Sequence, residues 1–132
     1  MSNETLDLRP RTCTQAIEGM ALTFNPEKAG DLEAVIQFHV SGEGGGDWHL
    51  VIKDGQCRCE RGVTAEPTLT ITTPADVWLA IARKELGGTR ALMTRKYKVK
   101  GKLGLLMKLD KIFSRQPTKE EIAAMGWLEE GE

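Results

Sequence analysis

The sequence predicts one α+β domain, in the order helix, three-strand meander, fourth strand, helical segment, fifth strand, closing helix, and three stretches carry that prediction. In YKVKGKLGLLMKLDKIF, residues 97–113, a period of two gives way to a period of 3.6 across Gly101 and Gly104. Asp54-Gly55 stands between two alternating runs and demands the positive φ angles of a type I′ hairpin turn. In TLTITTPADVWLAIA a threonine-rich strand pattern runs straight into helix-initiating residues.

The first helix is expected from Arg11 to Phe24, where Cys13, Ile17, Met20 and Phe24 recur at helical spacing, and it should end before Asn25-Pro26 because proline cannot continue the hydrogen-bond ladder. Leu32 to Val40 alternates as a strand, with Ala34, Ile36, Phe38 and Val40 on one face. The loop SGEGGGD lacks the Lys-Ser/Thr of a phosphate-binding loop and reads as a hairpin connection into a second strand, Trp48 to Lys53. A two-residue turn at Asp54-Gly55 then pairs Lys53 with Gln56, Ile52 with Cys57 and Leu50 with Cys59. Leu69 and Ile71 alternate with threonines in a fourth strand, after which Thr73 suits a helix N-cap, Pro74 the first position and Asp76 the first turn. Val77, Trp78, Ile81 and Ala82 form that helix's apolar stripe, and Gly87-Gly88 stops it. Thr89 to Lys96 reads as a further short helix. Tyr97 and Val99 alternate with Lys98 and Lys100 in a fifth strand, and Leu105, Leu106, Leu109, Ile112 and Phe113 mark the closing helix. The flanks are an N-terminal helix and loop, 1–31, and a C-terminal extension, 114–132, with capping-box spacing at Thr118 and Glu121 and an acidic end. Thr118 to Met125 is the helix expected there.

The net charge of −1 conceals three unlike segments. Residues 1–82 carry 6 basic and 12 acidic side chains (−6), residues 83–115 carry 11 and 2 (+9), and residues 116–132 carry 1 and 5 (−4). The basic middle segment suits an anionic lipid surface, a phosphate or a ligand carboxylate as readily as plain solubility, and no nucleic-acid-binding motif accompanies it. The polar start has no apolar run, and the longest uninterrupted apolar stretch, Val77 to Ala82, is far shorter than a membrane span. A cytoplasmic location is the expectation. Three free cysteines agree with a reducing compartment.

Motifs that resemble chemical sites have plainer readings beside them. Cys57-Arg58-Cys59 is not a CxxC pair, and both cysteines fall on the face of Leu50 and Ile52 as small core residues. With a hairpin symmetric about Gly44, His39 would lie opposite His49 with Glu60 beyond it; that set has the chemistry of a zinc site, but routine cross-strand pairing explains it as well, so no metal and no cofactor is assigned. No Ser-His-Asp or Cys-His arrangement points to catalysis, and the expectation is a non-enzymatic protein.

With WHLVIKDGQCRCERG, PTLTITTPADVWLAIA and YKVKGKLGLLMKL in this order and spacing, the chain resembles the lipid-binding domain of the sterol carrier protein type two family over most of Phe24 to Phe113. The resemblance implies a five-stranded, mostly antiparallel twisted sheet with helices packed on one face, enclosing an apolar tunnel, and makes all 132 residues one sterol-carrier-like domain. It implies binding, and transfer, of fatty acids, fatty acyl thioesters, sterols or phospholipids. Carried onto this sequence, the tunnel would be lined from the sheet by Ile36, Phe38, Leu50, Leu69 and Ile71. Its helical walls would be Trp78, Ile81, Leu92, Met93, Leu103, Leu106 and Met107. Lys96, Lys98, Lys100 and Lys102 would meet a headgroup or, transiently, an anionic membrane. The chain ends Glu130-Gly131-Glu132, without the peroxisomal address that some relatives carry. A different class also fits the same pattern: an interaction or accessory module of a lipid-metabolising enzyme system, with a filled core and no lipid affinity. Periodicity does not separate side chains that line a tunnel from side chains that fill it, and it is silent on oligomeric state.

Overall fold

The computed structural model describes residues 10–115 and 120–121. Five strands, β1 (Ala34–Ser41), β2 (Gly46–Lys53), β3 (Gln56–Arg61), β4 (Leu69–Pro74) and β5 (Lys98–Gly101), form one sheet in the order β3-β2-β1-β4-β5. The β1–β4 pair is parallel and every other pair antiparallel. The helices are α1 (Cys13–Glu18), α2 (Pro26–Ala29), α3 (Ala75–Ala82), α4 (Gly88–Met93) and α5 (Leu103–Ile112). The architecture is therefore the α+β one the sequence predicts.

Residues directly opposite one another in a sheet share a face, so the register defines the core. Phe38 faces Trp48 on one side and Ile71 on the other, Ile36 faces Leu50 and Leu69, and Ile71 faces Val99. Ile36, Phe38, Trp48, Leu50, Leu69 and Ile71 are wholly buried at 0% exposure, which makes this face the floor of the core. Ile17 of α1, Trp78 of α3 and Leu105, Leu109 and Ile112 of α5 cover it. Each such side chain contributes about 1.5–3 kcal/mol by leaving water.

The Asp54-Gly55 turn has φ of 53° and 73°, and the β2–β3 register is the expected one. The β1–β2 register is not. His39 pairs with Asp47 and Gln37 with His49, because the turn is centred one residue before Gly44, with Gly45 N–H donating to the Gly42 carbonyl. The expected His39–His49 pairing is thus corrected by a two-residue shift.

Three further boundaries differ from expectation for local reasons. The first helix gives way at Gly19 to a 3₁₀ turn, Gly19–Thr23, because glycine is a poor helix former and the Thr23 hydroxyl bonds the Met20 carbonyl. Asn25-Pro26, read as a stop, is also a start: the Asn25 side chain accepts from the backbone N–H groups of Glu27 and Lys28, and Pro26 opens α2. Thr73 is not an N-cap. It is 1% exposed, aligned with Val40 in the parallel pair, and its hydroxyl donates to the Pro74 carbonyl, so sheet pairing overrides the capping pattern. Of the expected Thr118–Met125 helix, residues 120 and 121 are helical and the rest lies outside the described residues.

The face away from the helices carries Val35, Gln37 and His39, flanked by Val51, His49, Thr70 and Thr72. Gln37 is nevertheless 1% exposed. Residues 62–64 fold back over it: its Nε2 donates to the Trp48 and Gly62 carbonyls at 2.9 and 3.1 Å, and its Oε1 accepts from Thr64 N–H at 2.8 Å. Gln37→Leu keeps the volume but strands these backbone groups. It is expected to cost about 2 kcal/mol in urea unfolding and to speed hydrogen exchange at Thr64; an unchanged midpoint would mean that water replaces the amide at no loss.

Candidate functional site

The helical side of the core is built around a ring cluster. Trp78 projects from α3 because it occupies the inward position of that helix, and it meets Phe38 edge-on with centroids 5.1 Å apart and planes at 64°. Tyr97, just before β5, meets the other side of Trp78 at 5.9 Å and 77°. The Tyr97 hydroxyl donates to the Gly88 carbonyl at 3.1 Å, tying α4 to the start of β5. Burial, and after it the nearby Asp110 carboxyl, push the Tyr97 phenol up from its ordinary value, so it remains a donor.

Trp78 has one unmet requirement. Among the described residues its indole Nε1 is a buried side-chain nitrogen with no hydrogen-bond partner, whereas Trp48 Nε1 donates to Glu18 Oε2 at 3.3 Å. Buried polar groups are nearly always paired, which makes the exception informative.

A pocket of about 100 Å³ opens beside this cluster, between α3, α4 and α5. Its walls are Trp78 and Ile81 of α3, Gly88, Thr89 and Leu92 of α4, Tyr97, and Leu106, Met107, Leu109 and Asp110 of α5. An open groove of about 430 Å³ lies elsewhere, at the N-terminal end of α5, between Leu32, Glu33, Thr68, Lys102, Gly104, Leu105 and Lys108. The groove is larger and more open, with Leu32 and Leu105 in its wall and the exposed side chains of Glu33, Lys102 and Lys108 along its border. The smaller pocket meets the buried core through Trp78 and Tyr97, and this junction makes it the candidate site.

The residues expected to line a tunnel are distributed unequally. Ile36, Phe38, Leu50, Leu69 and Ile71 form the sheet floor with no exposed surface. Trp78, Ile81, Leu92, Leu106 and Met107 come together around the small pocket. Met93, at 77% exposure, and Leu103, at 55%, stand on the outside of the helical wall, and Met107 is itself 60% exposed at the pocket mouth. The four lysines are not gathered into one rim. Lys98 and Lys100 align with Thr72 and Thr70 on the sheet face away from the helices, Lys102 borders the open groove, and Lys96 is exposed between α4 and β5. Gly88, Thr89, Tyr97, Leu109 and Asp110 were not among the expected site residues; their shared position at the pocket follows from how α4 packs, which no local pattern encodes.

Several of the other polar groups pair with one another or with the backbone. His39 Nδ1 lies 2.8 Å from Asp47 Oδ1, while His49 faces the Gly62 carbonyl through Nδ1 at 3.1 Å and Glu60 through Nε2 at 3.2 Å. Among the described residues no group of three or more His, Cys, Asp or Glu side chains is placed to hold a metal ion. The Arg58 guanidinium, bonded to Glu60 at 2.6 Å, holds that carboxyl below its usual range, with His49 adding to the effect. Burial pushes the thiols of Cys13 and Cys59 up to about 11 and that of Cys57 to about 12, so they stay protonated at neutral pH and are poor nucleophiles. Among the described residues no helix is long and apolar enough to cross a membrane.

The pattern that defines the SCP-2 sterol transfer family matches residues 20–114. The chain is 28% identical over 106 residues to hydroxysteroid dehydrogenase-like protein 2 of Xenopus tropicalis, covering 80% of this chain and 25% of that protein, so it spans about a quarter of that relative's length. Among solved structures, sterol carrier protein 2 like 2 from Aedes aegypti superposes with a TM-score of 0.62 at 25% identity, over 76% of this chain and 92% of the other. The solution structure of palmitated SCP2L2 from Aedes aegypti gives 0.63 at 23%, over 80% and 95%.

Proposed function

The chain belongs to the SCP-2 sterol transfer family, and from that premise we propose that it binds a long-chain lipid between its sheet and its helical wall and hands it on without chemical change. The observation that carries the reading is the junction of α3, α4 and α5, where a pocket walled in part by Ile81, Leu92, Leu106 and Leu109 reaches the Phe38–Trp78–Tyr97 cluster and Met107 stands exposed at its mouth. An acyl chain gains about 0.8 kcal/mol for each methylene removed from water, so affinity needs few polar contacts. At about 100 Å³ the pocket is smaller than the roughly 300–1,000 Å³ usual for small-molecule sites, and loading therefore requires α4 and α5 to part from the floor. A flexible, unbranched methionine suits such a wall, and Met107 supplies one at the pocket mouth. A similar fold has been solved as a palmitated protein, which supports an acyl chain as ligand. In this reading Ile36, Phe38, Leu50, Leu69 and Ile71 form the floor beneath the chain. Lys96 and Lys102, near the ends of the helical wall, are the lysines that meet an anionic membrane during loading, and Lys98 and Lys100 add charge on the opposite face.

Native mass spectrometry of gently purified protein, followed by displacement of a fluorescent fatty acid, tests the reading. Co-purified lipid and saturable displacement by sterol, fatty acid or acyl thioester are expected. A bare mass with no probe uptake would sink it. The complete burial of the five floor residues favours a second reading, an accessory module with a filled core, and that result would select it.

A further inference from the structure

We propose that the pocket between α3, α4 and α5 is the seat for the polar end of the ligand, and that it takes a neutral oxygen acceptor, an ester or thioester carbonyl or a hydroxyl, on the indole N–H of Trp78. The inference rests on the lipid-binding reading above and specifies which end of the lipid goes where. Trp78 is 7% exposed, lines this pocket, and carries a buried Nε1–H without a partner among the described residues. An indole nitrogen is a donor only, so the group it lacks is an acceptor. The neighbouring donor is already engaged, since the Tyr97 hydroxyl is bonded to the Gly88 carbonyl. Trp78 therefore carries an unpartnered donor within the wall of this pocket, which an acceptor reaches when α4 and α5 part from the floor.

The pocket's remaining chemistry selects for neutrality. Its acidic member is Asp110, and none of its walls is a lysine or arginine; Lys102 and Lys108 border the separate open groove. A carboxylate brought to Trp78 would lose its water beside another carboxyl without a cation to compensate, which is unfavourable. A carbonyl or hydroxyl oxygen pays far less to be desolvated and satisfies the indole with one bond. The small volume, about 100 Å³, suits a headgroup atom set and leaves the chain to run beneath α5 over the sheet.

The test measures displacement of a fluorescent fatty acid from the full chain by methyl palmitate, hexadecanol, palmitate and hexadecane. The wild-type protein is expected to bind the ester and the alcohol about fivefold more tightly than the hydrocarbon. Trp78→Phe should remove that preference and leave palmitate's affinity relative to hexadecane unchanged. Loss for the ester alone assigns the site to a carbonyl, and loss for both assigns it to any neutral oxygen. A second measurement needs no variant. In the wild-type protein the Trp78 indole proton, identified by its proximity to the Phe38 and Tyr97 rings, should move downfield with methyl palmitate and stay in place with hexadecane. Equal binding of ester and hydrocarbon with an unmoved indole proton overturns the assignment while lipid binding stands. A Trp78→Phe loss as large for palmitate as for the ester overturns the neutral preference, and displacement by none of the four overturns both readings.

Discussion

Phe38→Ala is expected to lower the thermal midpoint by about 10–15 °C, the largest effect of any single substitution considered for this chain. Phe38 has no exposed surface, lies in β1 between Trp48 and Ile71, and packs edge-on against Trp78. Deleting its ring removes the transfer free energy of the side chain and leaves a void that rigid neighbours on two strands and one helix fill only in part. Together these cost about 3–5 kcal/mol, a large share of the roughly 5–15 kcal/mol that holds a domain folded. Calorimetry of the variant with and without methyl palmitate makes the same experiment informative about function. In a closely filled core the ligand-free protein shows the whole loss. A drop of only a few degrees would mean that the ring borders a space already empty, as the wall of an open tunnel does.

Gly101→Ala is expected to destabilise by about 2–5 kcal/mol for a wholly different reason. Gly101 ends β5 with φ of +112°, a region that side-chain-bearing residues rarely adopt. An added Cβ would stand 2.4 Å from the Thr68 carbonyl oxygen and 3.1 Å from Leu69 Cα, both backbone atoms of the neighbouring strand's entry. Neither can swing aside as a side-chain tip can. The same Thr68 carbonyl accepts from Lys102 N–H, so any shift also weakens the start of α5. Urea unfolding of the variant checks this, with Gly104→Ala as the control because a Cβ there meets nothing within 4 Å. Equal midpoints for the two variants would refute the close-approach argument.

What could be read from residues alone was whatever depends on near neighbours. The β2–β3 register followed from Asp54-Gly55 because a two-residue turn fixes every pair along the ladder. The inward positions of α5 followed from spacing, with Leu105, Leu109 and Ile112 buried as expected. The glycine-rich loop before β2 had no such anchor. Several glycines can take the turn, and the one used shifts His39 from His49 to Asp47, which removes the geometric basis for the shared metal site. Thr73 carried a valid capping signal that lost to a distant strand, and the donor left over on Trp78 depends on Tyr97 and α4 arriving beside it. The family resemblance put Met93 and Leu103 on the wall, but it could not say that they face outward.

The parallel pairing of β1 with β4 has a consequence for the chain as it is made. β1 is the middle strand, and its two edges are completed at different times: β2 follows within a hairpin, while Ile36 waits for Leu69. Hairpins close in about 1–10 microseconds, whereas a ribosome adding about 5–20 residues per second takes roughly two to seven seconds to supply the second partner. For that interval the β1–β3 meander has an unpaired inner edge, with Ile36 and Phe38 uncovered by the helices that follow. The nascent meander is the species most open to edge-to-edge association. Changes that delay the docking of β4 would then appear first as lost soluble yield, even where the finished protein is as stable as before.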